Sequence, residues 1–377
     1  MTGAAHKMKI VMRATFGLML ALSCAAAQPA AGAEWPLFLG TPERNAVLKQ
    51  RLAPPLDVEW TYDAGHPFDS TAIVVAGVVY FGDMNGRFHA LDLETGKSKW
   101  IYQAKLGVPA SGCVQDGAVF FGDEEGFFHA VDIATGEARW TFESRAEILS
   151  SPNCSPGAVL FGSYDSILYS LNPKTGKPNW ALQTEDRVHC SPAIEGHSTF
   201  VTGCDGKLRV IDITKGEETN TIELGDYVAA TPAVVNGIVY VGTFGNQVLA
   251  IDWKKGEILW RYSHPQTAHP FFASPAVVDG KVIIGGRDKR VHAIDQETGA
   301  LVWDFTTNGR VDSSPAVTAD VVYAGSYDGN LYALNLADGK ELWKFTLGGD
   351  VAASPAIAGK RLLIGSRDGV LFCLRAK

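Results

Sequence analysis

Short apolar runs of four to six residues alternate with polar turns through almost the whole chain. One cycle reads Val78-Val79-Tyr80-Phe81-Gly82, a turn at Asn85-Gly86, Arg87-Phe88-His89-Ala90-Leu91-Asp92, a turn at Glu94-Thr95-Gly96, then Ser98-Lys99-Trp100-Ile101-Tyr102. Runs rich in Val, Ile, Phe and Tyr and bounded by Gly or Asp are β-strands joined by tight hairpins. Counting the run from Pro109 to Val114, four strands fill about 40 residues. Trp100, Trp140, Trp180, Trp260, Trp303 and Trp343 stand on a 40-residue grid with one step of 43. One step back from Trp100 lands on Trp60, inside Val58–Tyr62, and one step forward from Trp343 overshoots Lys377. The repeat is therefore circular. It predicts an all-β, eight-bladed propeller of four-stranded antiparallel blades over residues 58–377, whose last blade (351–375) borrows its outer strand from the N-terminal segment 58–62. Residues 34–57 carry no repeat and read as an ordered cover leading into that strand.

The turns are as regular as the strands. Gly96, Gly136, Gly176, Gly216, Gly256, Gly299 and Gly339 occupy one position in seven blades, each four residues after an Asp or Asn. An Asx side chain accepts turn N–H groups and glycine takes positive φ, so these aspartates are expected to build turns rather than bind Ca²⁺. Trp60, Trp100, Trp140, Trp180, Trp260, Trp303 and Trp343 are expected to be structural, covering the seams between blades. Asn220 replaces the tryptophan at its grid point, and Trp253 stands nearby; this reads as a degenerate repeat without a role, with a looser or partner-facing seam as the alternative.

Composition adds the cellular setting. The chain is 46% hydrophobic and 20% charged, enough to bury a large core. Residues 1–33 read as a signal peptide: Lys7, Lys9 and Arg13, an apolar run from Ala14 to Cys24, and small residues at Ala31-Gly32-Ala33. Ala21-Leu22-Ser23-Cys24 also offers a lipid anchor at Cys24. Without this segment 30 basic residues face 41 acidic ones, a balance that disfavours nucleic acid. No transmembrane span follows it, and a monomer in the periplasm or cell envelope is expected. Cys113, Cys154, Cys190, Cys204 and Cys373 show no C-x-x-C spacing and read as small buried strand residues rather than as disulfides.

The blade signature Ala90-Leu91-Asp92-Leu93-Glu94-Thr95-Gly96-Lys97-Ser98-Lys99-Trp100, repeated over 130–140 and, with Ser170 leading, over 170–180, resembles that of the pyrroloquinoline-quinone (PQQ)-like repeat family. Kelch repeats are longer, and the Gly-His…Trp-Asp marks of WD40 blades are absent. The resemblance implies one of two functions. Large quinoprotein dehydrogenases hold PQQ with Ca²⁺ in the channel. Smaller exported members, the BamB-type outer-membrane assembly propellers, bind no cofactor and act as protein-binding scaffolds among envelope proteins. Size, the lack of vicinal cysteines and of C-x-x-C-H point to the second group, with PQQ and Ca²⁺ as the alternative.

Register places the candidate site. Thr71, Ser111, Ser151, Ser191, Thr231, Ser274, Ser314 and Ser354 form a ring of hydroxyls on the innermost strands, explained by crowding at the axis. Two positions up lie Asp69, Pro109, Leu149, His189, Ala229, Phe272, Asp312 and Ala352. Two further up lie Pro67, Gly107, Glu147, Arg187, Tyr227, Pro270, Arg310 and Asp350. Symmetry breaks in these two rings. Glu147, Arg187, His189, Tyr227, Arg310, Asp312 and Asp350 are therefore the candidates at the channel mouth, to hold an anion through the two arginines, a metal at the carboxylates, or simply to pair with one another. In the dehydrogenase alternative Asp69, Glu147, Asp312 or Asp350 would stand near Ca²⁺ and Arg187 or Arg310 on the quinone. His264 and His269, in the loop that lengthens one step to 43, are a weak metal pair without a third ligand. No catalytic triad or paired acid and base is present.

Overall fold

The structure is a computed structural model that describes Met1 and residues 34–377. Apart from Met1, the expected targeting segment 1–33, including Cys24, lies outside the described residues. Eight four-stranded antiparallel sheets follow one another along the chain. Each runs from an innermost three-residue strand, shortened to Ala316–Val317 in blade 7, to an outer strand of six to eight. Blade 1 spans 73–103, and blades 2 to 7 begin at Cys113, Asn153, Ala193, Ala233, Ala276 and Ala316. Blade 8 joins head and tail: Leu56–Asp63 pairs antiparallel with Val370–Ala376, Tyr62 opposite Leu371. Glu59 of the head accepts hydrogen bonds from Arg361 and Arg375 of the tail (Oε2 to Nε 2.5 Å, Oε1 to Nη1 2.6 Å). The Arg361 bonds, above all, hold its carboxyl below the ordinary range. Among the described residues no helix is long and apolar enough to cross a membrane.

Six of the eight seams are a tryptophan laid on a glycine. The ring of Trp100 lies so close to Gly136 that a Cβ there would stand 2.8 Å from it, and Gly136 has φ +75°. The indole N–H of Trp100 donates to the Ile133 carbonyl at 3.0 Å. The same pairing joins Trp60 to Gly96, Trp140 to Gly176, Trp180 to Gly216, Trp260 to Gly299 and Trp303 to Gly339. Trp343 faces blade 8, where head and tail meet and no such turn exists. The degenerate seam keeps its bond: Asn220 Nδ2 donates to the Trp253 carbonyl at 2.9 Å, while the Trp253 ring packs edge-on against Phe200. The Asx residues build turns, as in Asp92 Oδ1 accepting the Thr95 N–H at 3.0 Å.

A second device, unread in the sequence, crosses three seams. Asp83, Asp123 and Asp288 each bond a histidine of their own blade (His89, His129, His292), whose other nitrogen meets a tyrosine of the preceding blade (Tyr62, Tyr102, Tyr262). These trios resemble relay sets, but their histidines are buried between blades and the arrangement recurs, so they hold seams. Burial pushes the Asp83 and Asp288 carboxyls up. The histidine bonds and further donors outweigh it and leave both below the ordinary range.

One expectation is overturned. Cys113 and Cys154 form a disulfide, S–S 2.01 Å, between the innermost strands of blades 2 and 3. Their spacing of 41, one more than the repeat, makes them diagonal neighbours across adjacent strands with Cα atoms 6.0 Å apart. Cys190, Cys204 and Cys373 are free.

The non-repeating segment straps the base of the channel. It meets the innermost strand of blades 1 to 7 and the turn after it in blade 8: Trp35 with Val74, Pro36 with Val114, Pro42 with Asn153 and Ile194, Glu43 with Val234, Asn45 with Val277, Ala46 and Leu48 with Val317, Gln50 with Gly359. Arg44, fully buried, donates to four carbonyls, those of Phe38, Ser151, Pro152 and Pro192, at 2.7–3.0 Å. Loss of water pushes its pKa down to about 9.

Candidate functional site: the open mouth of the channel

Above the strap, the hydroxyl ring closes on itself. The backbone N–H of Thr71 donates to Ser111 Oγ, that of Ser111 to Ser151 Oγ, and so on through all eight blades until Ser354 N–H reaches Thr71 Oγ1, each bond 2.9–3.2 Å. Crowding explains why these residues are small. The circle of bonds explains why they are hydroxyls, because each satisfies an N–H that no strand partner reaches.

The next ring lines a cavity of about 170 Å³ with the residues that register assigned to it, Asp69 to Ala352, and with Phe38 of the strap. Around the mouth the seven candidates divide into two arcs. On blades 3 to 6 the arc is aromatic. Tyr227, 54% exposed, packs on Phe244 (centroids 5.4 Å), which meets Phe272 edge-on (4.5 Å). With Tyr164, Asp186, His189 and Cys204 they line a second cavity of about 490 Å³. His189 Nδ1 lies 2.6 Å from the Tyr164 hydroxyl, and burial lowers its pKa. Burial, then Asp186, raises that of Cys204. Arg187 reaches over the Tyr164 ring, 5.2 Å from its centre.

From blade 6 to blade 1 the arc is ionic. Arg287 grips both oxygens of Asp312 at 3.0 Å and lies 3.5 Å above Phe272. Arg310 Nε approaches the same carboxylate at 3.1 Å and covers Tyr327 at 3.9 Å. Arg367 holds Asp69 by two bonds, the first 2.7 Å, and the pair raises the arginine's pKa. Asp350 and Glu147 are exposed. Burial, then Glu147, pushes the neighbouring Glu124 carboxyl up. The two arginines singled out from sequence thus stand in different arcs, Arg310 tied to Asp312 and Arg187 stacked on Tyr164. His264 turns to Thr267 (2.9 Å) and Asp304 (3.6 Å), while His269 is exposed. Among the described residues no group of three or more His, Cys, Asp or Glu is placed to hold a metal.

Sequence reading missed a third ring. Met84, Glu124, Tyr164, Cys204, Phe244, Arg287, Tyr327 and Arg367 keep the 40-residue grid, and each donates its backbone N–H to the carbonyl of the upper-ring residue, Pro67 through Asp350. The signal was there: this position changes chemistry from blade to blade while the glycine two before it stays fixed in all but blade 4.

A family model described as outer membrane protein assembly factor BamB matches residues 104–260, 185–290 and 287–377. No curated protein matches the chain. Among solved structures, BamB from Moraxella catarrhalis is similar over 85% of this chain and all of its own, at 19% identity and TM-score 0.76. A quinohemoprotein alcohol dehydrogenase from Comamonas testosteroni matches 91% of this chain and 80% of its own, at 14% identity and TM-score 0.79. A computationally designed protein, Ika8, matches 88% and 99%, at 17% identity and TM-score 0.74. At such identities the structures speak for the fold alone, and one fold carries both scaffolds and dehydrogenases. The family model matches well over half of the sequence, and on that ground the chain belongs to the PQQ-like repeat family described as outer membrane protein assembly factor BamB.

Proposed function

We propose that the protein is an exported, non-catalytic propeller that binds other proteins in the cell envelope as a scaffold of outer-membrane protein assembly. The observation that carries this reading is the aromatic arc: one mouth of the channel presents an open cavity walled by Tyr164, Tyr227, Phe244 and Phe272, while the ionic groups around it are largely bonded to each other. Exposed aromatic patches rimmed by polar groups suit the side chains of a partner protein. The Cys113–Cys154 disulfide supports an oxidising compartment. The test is a deletion strain. Outer-membrane β-barrel proteins should fall in abundance and recover with the wild-type gene but not with Tyr227→Glu/Phe244→Asp. Unchanged barrel levels in the deletion strain would end this reading.

The likeness to a quinohemoprotein dehydrogenase keeps PQQ with Ca²⁺ as the alternative. The donor set suits it poorly: Asp69 and Asp312 already hold Arg367 and Arg287, so an ion would have to displace guanidinium groups. Titrating the protein with PQQ and Ca²⁺ decides the matter, since saturable quinone absorbance on the protein would favour the dehydrogenase.

A further inference from the structure

We propose that the outer strand of blade 6, Leu301–Thr306, is a second docking edge, apart from the channel mouth, that takes up an extended, uncharged β-strand of another protein. Each blade ends on an edge whose outward N–H and C=O groups have no strand partner. Such an edge is a template for a further strand unless something guards it. Seven of the eight edges are guarded. Those of blades 1, 2, 4, 5, 7 and 8 carry an exposed charge, as at Lys99, Arg139 and Glu341, and that of blade 3 opens on Pro178. Leu301–Thr306 has neither device. Its one charge, Asp304, is half-buried and turned to Arg290 and His264. Among the described residues no turn or loop backbone covers the strand's outward groups.

The side chains say what kind of strand fits. The position before the seam residue is Glu59, Lys99, Arg139, Asn179 or Thr219 in five blades. In blades 5, 6 and 7 it is Leu259, Val302 and Leu342, each between 46% and 49% exposed. Leu301, beside Val302, is exposed as well. The repeat sets these positions at one height, so an apolar band runs over three successive edges and centres on blade 6. A strand laid along Leu301–Thr306 sets its own side chains against Leu301 and Val302, where branched aliphatic residues pair well. A charge at that point would lose water without gaining a counter-ion, since Asp304 is already taken. The occupant is therefore aliphatic and uncharged. A foreign strand is favoured over a second copy, because two chains of formal net charge −8 repel each other.

The probe is a peptide of alternating valine and threonine with lysine at both ends, N-methylated along one edge so that it cannot stack on itself. Hydrogen exchange on the full chain reads its binding. The peptide should slow alternate N–H groups within Leu301–Thr306 about tenfold or more, and none on the guarded outer strand of blade 1. The same peptide methylated on both edges keeps its side chains and charges and should have no effect. Val302→Lys installs the missing guard at an exposed position. It should weaken binding about tenfold or more while the protein melts as before, and Val302→Ile should bind like the wild type. No slowing at Leu301–Thr306 with millimolar peptide, equal slowing by both peptides, or undiminished binding to Val302→Lys would each overturn the proposal. So would slowing of this strand by the protein alone as its concentration rises, which would make the occupant a second copy. Docking at the mouth is tested separately, because the deletion-strain comparison rests on Tyr227 and Phe244, which are not on this edge.

Discussion

At the base of the channel a buried arginine spends every bond on backbone carbonyls, and a strap ties all eight blades together. At the mouth, arginines lie on aromatic rings and hold carboxylates beside open water, and neighbouring blades share no common residue. The same eight innermost strands run from one end to the other. What differs is whether a ring must satisfy the backbone. At the base and at the hydroxyl circle each position has an N–H or C=O to answer for, so its chemistry is fixed. Four residues higher the backbone carbonyls are already met by the third ring, and side chains are free to serve a ligand or partner.

The largest effect should come from opening the ring. Deleting Leu56–Asp63 removes the outer strand of blade 8, its pairing with Val370–Ala376 and the Glu59 ion pairs. We expect no cooperative thermal transition. A deletion variant that melts like the intact protein would refute closure by shared strands. Next comes the base against the mouth. Arg44→Met strands four carbonyl groups and should cost about 3 kcal/mol or more, whereas Arg187→Met at the exposed rim should stay within about 0.5 kcal/mol, both read from urea midpoints. Equal costs would dissolve the contrast between the two ends. The seams provide a third comparison. Trp140→Ala should cost about 3–5 kcal/mol, and Trp343→Ala, which has no glycine turn to cover, clearly less. Breaking the disulfide by Cys113→Ala/Cys154→Ala should cost about 2–4 kcal/mol, since it closes a loop of separation 41.

How much of this the sequence could show follows the same divide. Blade number, shared closing strand, seam tryptophans, Asx turns and both inner rings all repeat, and repetition makes register readable: Asp69 through Ala352 line the cavity as counted. The seam at Asn220 was legible as a deviation but not in its consequence, because a side-chain amide can make the bond an indole makes. Cys113 and Cys154 carry no C-x-x-C mark; they stand 41 apart, one off the 40-residue grid, and only the packing of blades 2 and 3 brings them together. The third ring was missed because it sits in a turn and changes identity in every blade. The strap lies outside the period altogether, and nothing in Arg44 as a residue type announces burial. Arginine is seldom fully buried, and only the converging carbonyls explain it.

The finest comparison sets His189 of the mouth against the carboxylates of the seams, and it is read by pH. Asp83 and Asp288 have folded pKa values below their unfolded ones, so the stability they add is full above about pH 4 and lost as pH falls through the folded values. His189 is also depressed, but for the opposite charge type: burial disfavours its cation. The unfolded chain takes up that proton near pH 6.5, the folded one only lower, so the unfolded state binds more protons in between. Its contribution is therefore complete above about pH 6.5 and drains away as pH drops towards the folded value. The total is small, because the ring is near the open cavity and can be rehydrated. His189→Gln keeps an amide beside the Tyr164 hydroxyl while removing the titration. Urea midpoints of the two proteins should match at pH 7.5, and the wild type should fall below the variant by pH 5.5. Parallel curves over that range would mean that the imidazole is already as wet as in the unfolded chain, and that the mouth, unlike the base, buries nothing it must keep neutral.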